Sequence, residues 1–155
     1  MDLPLDEIKE IRFSRKRVPI SPELRPMYRI SRIILILHLS STKQTASLLK
    51  LQLFNWGLQN EGRYERLLKL KETSHFPIIR FDPFLNRALN YGVAMSVFSF
   101  NVKTGKFSLT EKGEVLAQRI LKEDVFLNEK KFLKAIKKSL SDTYILQLFK
   151  ERYPS

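Results

Sequence analysis

The stretch over residues 81–121 constrains the fold of this chain more than any other part of the sequence. Asp82 and the proline after it have the chemistry of a helix start, and an amphipathic segment runs from there to Gly92. An apolar run over residues 93–100 follows. Gly105 then supplies the positive φ that a tight hairpin turn requires, and the chain returns. The pattern predicts a short helix, a β-hairpin and a second helix, in that order.

This order of elements is the sequence plan of a winged helix. We therefore predict a mainly α protein with a small β-hairpin (α+β), built as a winged helix-turn-helix core with an N-terminal arm and C-terminal helices. The predicted parts are a basic extended arm at 1–22, a winged-helix domain at 23–123 and a helical appendage at 124–155 packed on that domain. Such a domain presents a helix face and a hairpin tip together, either to nucleic acid or to a partner protein.

Apolar periodicity places the remaining helices. The predicted ranges are a first helix from Pro22 or Pro26 to His38 or Leu39, then 43–56, 61–71, 128–140 and 141–152, with 78–81 as a candidate short strand. Three arginines, at 25, 29 and 32, share the side of the first helix opposite its apolar stripe. The helix at 43–56 is apolar nearly all round, so we expect it in the middle of the core and not at a ligand surface.

The charge of the chain narrows the class of partner. Its 155 residues include 28 Lys and Arg against 16 Asp and Glu, a formal net charge of +12. This excess favours a polyanionic partner, most simply nucleic acid. A soluble basic surface and an acidic protein partner are the alternatives.

Cysteine is absent, which excludes a disulfide framework, a thiolate zinc site and a cysteine nucleophile. The first residues are acidic and lack an apolar secretory segment. The longest strongly apolar run, Ile33–Leu37, is far shorter than the roughly 20 residues that span a bilayer. These features predict a soluble cytoplasmic protein without a membrane partner.

The helix that begins after Asp82 is the candidate recognition helix. Its exposed stripe is predicted to carry Asn86, Arg87 and Asn90, opposite the apolar residues. Arginine can pair bidentately with guanine and asparagine with adenine in the major groove. The alternative is a solvated face, because any short amphipathic helix needs a polar side.

The hairpin tip is the candidate wing. Lys103 and Lys106 flank the turn, where lysines position a protein on phosphates without reading sequence. They could equally solubilise the hairpin and guard its edges. A second basic cluster lies on the arm, where it could follow a phosphate backbone or bind an acidic subunit. Its members are Arg12, Arg15, Lys16 and Arg17.

Five lysines form the polar side of the predicted helix at 128–140. They are Lys130, Lys131, Lys134, Lys137 and Lys138. We interpret them as an exposed, solvated face, with nucleic acid or a membrane surface as alternatives.

The sequence has none of the common catalytic patterns. His38 and His75 are not at metal-ligand spacing, and no HExxH, GxxxxGK[ST], GxGxxG or GxSxG motif occurs. The carboxylates are scattered and lie mostly beside lysines, which does not indicate an acid/base pair. We therefore predict that the protein is not an enzyme, with no catalytic residue, no metal, no cofactor and no small-molecule substrate.

Two segments carry a narrower resemblance. The sequence ASLLKLQLFNWGL at 46–58, followed by FDPFLNRAL at 81–89, resembles bacterial small subunits called middle components of three-component ABC-ATPase systems. The resemblance covers residues 26–121 and brings no catalytic residues. It implies an adaptor whose ATPase chemistry lies on a larger partner subunit, an ABC-type ATPase, with a role in defence against phage or other mobile DNA.

These observations predict a non-enzymatic subunit of a bacterial multi-protein assembly that contacts duplex DNA, a larger partner subunit, or both. The first alternative is a dimeric winged-helix transcription regulator, which predicts a self-complementary dimer and half-sites about one DNA turn apart. The second alternative is a pure protein–protein adaptor, which predicts co-purification with a larger chain.

Overall fold

The computed structural model describes residues 26–154. Eight α-helices lie in that range: α1 (Pro26–Ser40), α2 (Leu48–Gly57), α3 (Glu61–Leu68), α4 (Leu70–Thr73), α5 (Pro83–Ala94), α6 (Glu111–Lys122), α7 (Leu127–Ile136) and α8 (Asp142–Arg152). The three strands are β1 (Thr45–Ser47), β2 (Phe98–Asn101) and β3 (Lys106–Leu109), and a 3-10 turn, Thr42–Gln44, precedes β1. The predicted class, mainly α with a small sheet, is confirmed.

The sheet is antiparallel with the strand order β1-β3-β2. In its register Phe107 lies opposite both Ala46 and Phe100. Helices α1 to α4 and strand β1 come first, and α5 then leads into the β2–β3 hairpin and α6, which is the order of helix, hairpin and helix that the sequence predicts for residues 81–121. The division into arm, domain and appendage stays a prediction, since residues 1–22 lie outside the described part of the chain.

The core is built around α1. Its residues 33–37 are almost completely buried, and the helix packs against α5, α6 and α7. The C-terminal helices contribute to the same cluster of buried side chains through Phe132 on α7 and Ile145 on α8. The predicted position of the apolar helix in the core is also confirmed, since residues 50–57 of α2 are all buried.

One strand was missed because residues 43–56 were predicted as a single helix. Lys43 and Gln44 have positive φ angles of 54° and 56°, which an α-helix cannot accommodate. Strand β1 follows them and pairs with β3. Ser47 then caps α2 by accepting a 3.1 Å hydrogen bond from the backbone N–H of Lys50.

The candidate recognition helix is longer than predicted. Its expected end was near Gly92, but α5 continues to Ala94. Gly92 lies inside the helix. A glycine is needed at this position because the Phe98 ring packs against it, and a Cβ there would be 2.3 Å from that ring. The turn into β2 is made by Ser96, at φ 62°.

Other boundaries also differ from the sequence patterns. The predicted helix at 61–71 is two helices, α3 and α4, and residues 78–81 form no strand. The helix predicted to reach residue 140 ends at Ile136, because Lys137 has a φ of 53°. Arg32 is buried, and Arg29 forms an ion pair with Asp82, so the polar side of α1 is not a free cationic surface.

Candidate nucleic-acid interface

The start of α5 is held in place by a network of polar contacts to α1 and α2. Asp82 caps the helix by accepting a 2.9 Å hydrogen bond from the backbone N–H of Phe84. The same carboxylate accepts a 3.0 Å hydrogen bond from Arg29 Nε and a 3.3 Å bond from Asn55 Nδ2. Gln52 pairs with the Asp82 backbone in both directions, at 2.9 and 3.1 Å. The first turn of α5 is therefore fixed relative to the core.

The three predicted residues of the α5 stripe are all exposed, as the sequence indicates: Asn86, Arg87 and Asn90. They differ in what holds them. The side-chain oxygen of Asn86 accepts a 3.2 Å hydrogen bond from the buried Gln52, which holds the Asn86 side chain toward α2 and leaves its oxygen one lone pair for a ligand. The guanidinium of Arg87 lies over the Phe84 ring at 5.2 Å. Arg87 and Asn90 are therefore better placed to contact a ligand than Asn86.

The wing is an ordered hairpin with an exposed tip. The side-chain oxygen of Asn101 accepts hydrogen bonds from the backbone N–H groups of Lys103 and Thr104, at 2.9 and 3.3 Å. Gly105 adopts a φ of 71°, as the turn chemistry predicts, and its N–H donates to Asn101 O at 2.7 Å. Val102 at the tip is 85% exposed. The tip therefore presents Lys103 to solvent on a backbone that is already fixed.

Lys106 is not equivalent to Lys103. Its ammonium lies 3.5 Å from the Asp142 carboxylate of α8, and its side chain is only 38% exposed. Asp142 also accepts hydrogen bonds from the backbone N–H and the hydroxyl of Ser47, at 2.9 and 2.8 Å. One carboxylate thus joins β1, β3 and α8, and Lys106 belongs to the base of the wing. As a phosphate contact it is a poorer candidate than the sequence suggested.

The sequence also predicted two other basic clusters, one on the N-terminal arm and one on α7. The arm residues Arg12, Arg15, Lys16 and Arg17 lie outside the described residues. On α7 and just after it, four of the five predicted lysines are exposed. Lys130 is buried, so the prediction for it was wrong: its ammonium donates a 2.7 Å hydrogen bond to Glu123 O. Desolvation, together with Lys134, lowers the pKa of Lys130 below its ordinary value despite nearby carboxylates.

The sequence patterns did not indicate the apolar surface at the start of α5. Ile78 is 71% exposed, Phe81 is 42% exposed and Phe84 is 41% exposed. Residues 78–81 had been interpreted as a strand, which would have buried some of these side chains. One signal was available: Phe84 precedes Arg87 by three positions, so the two share the polar side of the helix.

Among residues 26–154, no group of three or more His, Cys, Asp or Glu side chains is arranged to hold a metal ion. In the same part of the chain, every helix is too short or too polar to cross a bilayer.

No protein-family model matches this chain, and neither a curated protein nor a solved structure is significantly similar to it. The resemblance to middle components of ABC-ATPase systems therefore stays a prediction.

Proposed function

We propose that this chain is a non-enzymatic winged-helix subunit that contacts duplex DNA through α5 and the wing, within an assembly that contains a larger partner protein. The observation that carries the proposal is the rigid placement of two exposed elements on one body. The Asp82 network fixes the start of α5, and the Asn101 turn fixes the wing tip. A protein that holds a register on DNA needs such fixed contact points.

We assign the candidate DNA-contacting residues to phosphate or to base contacts according to their side-chain chemistry. Lys103 at the wing tip would contact phosphate, which positions the protein without reading sequence. Arg87 and Asn90 on α5 have side chains that can pair with guanine and adenine edges in the major groove. Lys106 supports the wing through Asp142 and is a poorer candidate than Lys103 for a contact to DNA.

The resemblance stated above supplies the wider setting of the proposal. It suggests that the larger partner is an ABC-type ATPase, that the assembly acts against phage or other mobile DNA, and that it works in the bacterial cytoplasm. The +12 charge of the chain supports contact with a polyanion.

Salt-dependent binding tests the proposal. The full chain is titrated onto a labelled random-sequence duplex, and fluorescence anisotropy gives the affinity from about 50 to about 200 mM salt. We expect log K to fall linearly with log salt, by about 0.9 for each phosphate contact. Arg87→Ala with Lys103→Ala should make this slope less steep and weaken binding.

The matched control is Lys150→Ala with Arg152→Ala, which removes the same charge from exposed positions on α8. The proposal requires the α5 and wing pair to weaken binding more than this control does. Equal losses in the two double variants would show that only net charge matters. A flat salt dependence would exclude a phosphate-driven contact altogether.

The second candidate, a pure protein adaptor, is favoured by one observation. Three large apolar side chains are exposed at and just before the start of α5, the helix that would enter the major groove of DNA: Ile78, Phe81 and Phe84. Apolar side chains of this size at an otherwise basic surface are typical of protein contacts. If the chain fails to bind duplex DNA even at low salt, the adaptor function becomes the better proposal. The dimeric regulator stays a prediction.

A further inference from the structure

The segment between α4 and α5 is unusual for its lack of backbone pairing. Residues 75–81 form no regular secondary structure, and within the described part of the chain their backbone groups make no backbone hydrogen bond. The segment is nevertheless anchored: Phe76 is buried against the ring of Phe149, 5.3 Å between centroids. At its other end Asp82 is fixed to Gln52. The intervening residues therefore have no backbone hydrogen bond to the rest of residues 26–154, and Ile78, Arg80 and Phe81 among them are exposed.

This segment forms one wall of a groove of about 580 Å³. The rest of the lining comes from α1, α2, the turn that follows α2, α3 and the start of α5. The apolar lining consists of Trp56, Ile78, Ile79, Phe81, Pro83 and Phe84, and the cationic lining of Arg29, Arg63 and Arg80. Among the described residues of the lining, the only carboxylate is that of Asp82, which is paired with Arg29. The described lining of the groove is thus largely apolar and carries a net positive charge.

Two of the three aromatic rings that line the groove, those of Trp56 and Phe84, already lie against arginine guanidinium groups, and the third belongs to Phe81. The guanidinium–ring pairs are Arg63–Trp56, Arg66–Trp56, Arg29–Phe84 and Arg87–Phe84, with distances from 4.8 to 5.3 Å. A nucleic-acid base would have to displace these cations to stack on the rings. Among the apolar residues that line the groove, the most exposed side chain is the aliphatic Ile78, which offers no stacking surface. Both facts favour protein side chains over bases as the occupant.

We propose that this groove binds a segment of a partner protein in which carboxylates alternate with apolar side chains. The apolar side chains would cover Ile78 and Phe81, the carboxylates would pair with Arg63 and Arg80, and the partner backbone could pair with residues 75–81. The proposal rests on the part of the proposed function that includes a partner protein. It does not depend on DNA binding.

The test is a selection from a random-sequence peptide library displayed on phage, with the full chain immobilised. We expect the selected peptides to combine Asp or Glu with Leu, Ile or aromatic residues. Their affinities are then measured through the fluorescence of Trp56, which is the single tryptophan of the chain and lies in the groove. Ile78→Ser with Phe81→Ser should weaken binding about tenfold or more, because two apolar contacts are lost.

Two control variants on α8 distinguish binding in the groove from nonspecific apolar or electrostatic binding elsewhere on the surface. Leu146→Ser removes from α8 an apolar side chain about as exposed as Phe81, 44% against 42%, and should leave peptide affinity unchanged. Arg80→Glu should weaken binding of the acidic peptides by about tenfold, whereas Lys150→Glu on α8 should have little effect. Because all four variants leave Arg87 and Lys103 intact, their effect on the DNA salt slope distinguishes failure of this proposal from failure of the proposed function.

Three results would overturn the proposal. The first is a selection that enriches basic peptides or no common pattern. The second is binding that is insensitive to Ile78→Ser with Phe81→Ser. The third is a fluorescence change with single-stranded oligothymidine that the same variants abolish, which would assign the groove to nucleic acid.

Discussion

Burial of the Lys50 ammonium group leads to a prediction about stability at alkaline pH. Lys50 lies in α2 and is only 2% exposed, and its Nζ donates a 2.7 Å hydrogen bond to Ser40 O. Burial lowers the pKa of Lys50 from 10.5 to about 8. Asp142 opposes this decrease and Lys106 adds to it.

The direction of the effect follows from proton binding. Between pH 8 and pH 10.5 the unfolded chain holds the Lys50 proton more tightly than the folded chain does. The free energy of unfolding therefore rises with pH across this window. At 1.36 kcal/mol for each pKa unit, a decrease of about 2.5 units corresponds to about 3 kcal/mol. Below pH 8 the folded protein carries this whole cost, because Lys50 is charged in both states.

Lys50→Met removes the titratable ammonium group and replaces it with an uncharged, unbranched side chain of similar length. Urea unfolding, followed by the fluorescence of Trp56, gives the free energy of unfolding of both proteins from about pH 7 to pH 10.5. We expect the difference between them to shift by about 3 kcal/mol in favour of the wild type as pH rises. Lys150→Met, at an exposed site, is the control and should show no such shift. A difference that stays constant with pH, or that shifts the other way, would refute the reasoning.

Two further predictions concern the base of the wing. Gly113→Ala should destabilise the protein by about 1–3 kcal/mol, because the new Cβ would lie 2.4 Å from Val97 O, a backbone atom that cannot move aside cheaply. Gly62→Ala is its control: the Cβ meets nothing closer than 3.4 Å, and alanine favours the helix, so thermal unfolding should show equal or higher stability. Asp142→Ala should cost about 2–3 kcal/mol through its two lost hydrogen bonds to Ser47. It should also speed hydrogen exchange in β1 and β3, and unchanged exchange there would show that Asp142 does not join these strands.

The elements that the sequence predicted well are those specified by local chemistry. Asp82 caps α5 through its own side chain, and Gly105 makes the wing turn through its own φ. Both signals act within a few residues, so they can be found without knowing the fold. The exposed stripe with Arg87 follows from helical period once the helix start is known.

The features that the sequence did not predict depend on partners far along the chain. Strand β1 has three residues, and it exists because it pairs with β3 about sixty positions later. Lys106 supports the base of the wing because it forms an ion pair with Asp142, and no local sequence pattern indicates that these two residues meet. The exposure of Ile78 depends on where Phe76 and Asp82 anchor its segment. Such long-range pairings are set by tertiary packing, which overrides local propensity.

The two proposed surfaces meet on one helix, α5. Phe84 lines the groove at the start of α5, and the guanidinium of Arg87 lies over its ring. A partner segment that covers Phe84 must therefore either fix Arg87 or displace it. By thermodynamic linkage, whichever change the partner makes to DNA affinity, DNA makes the same change to partner affinity.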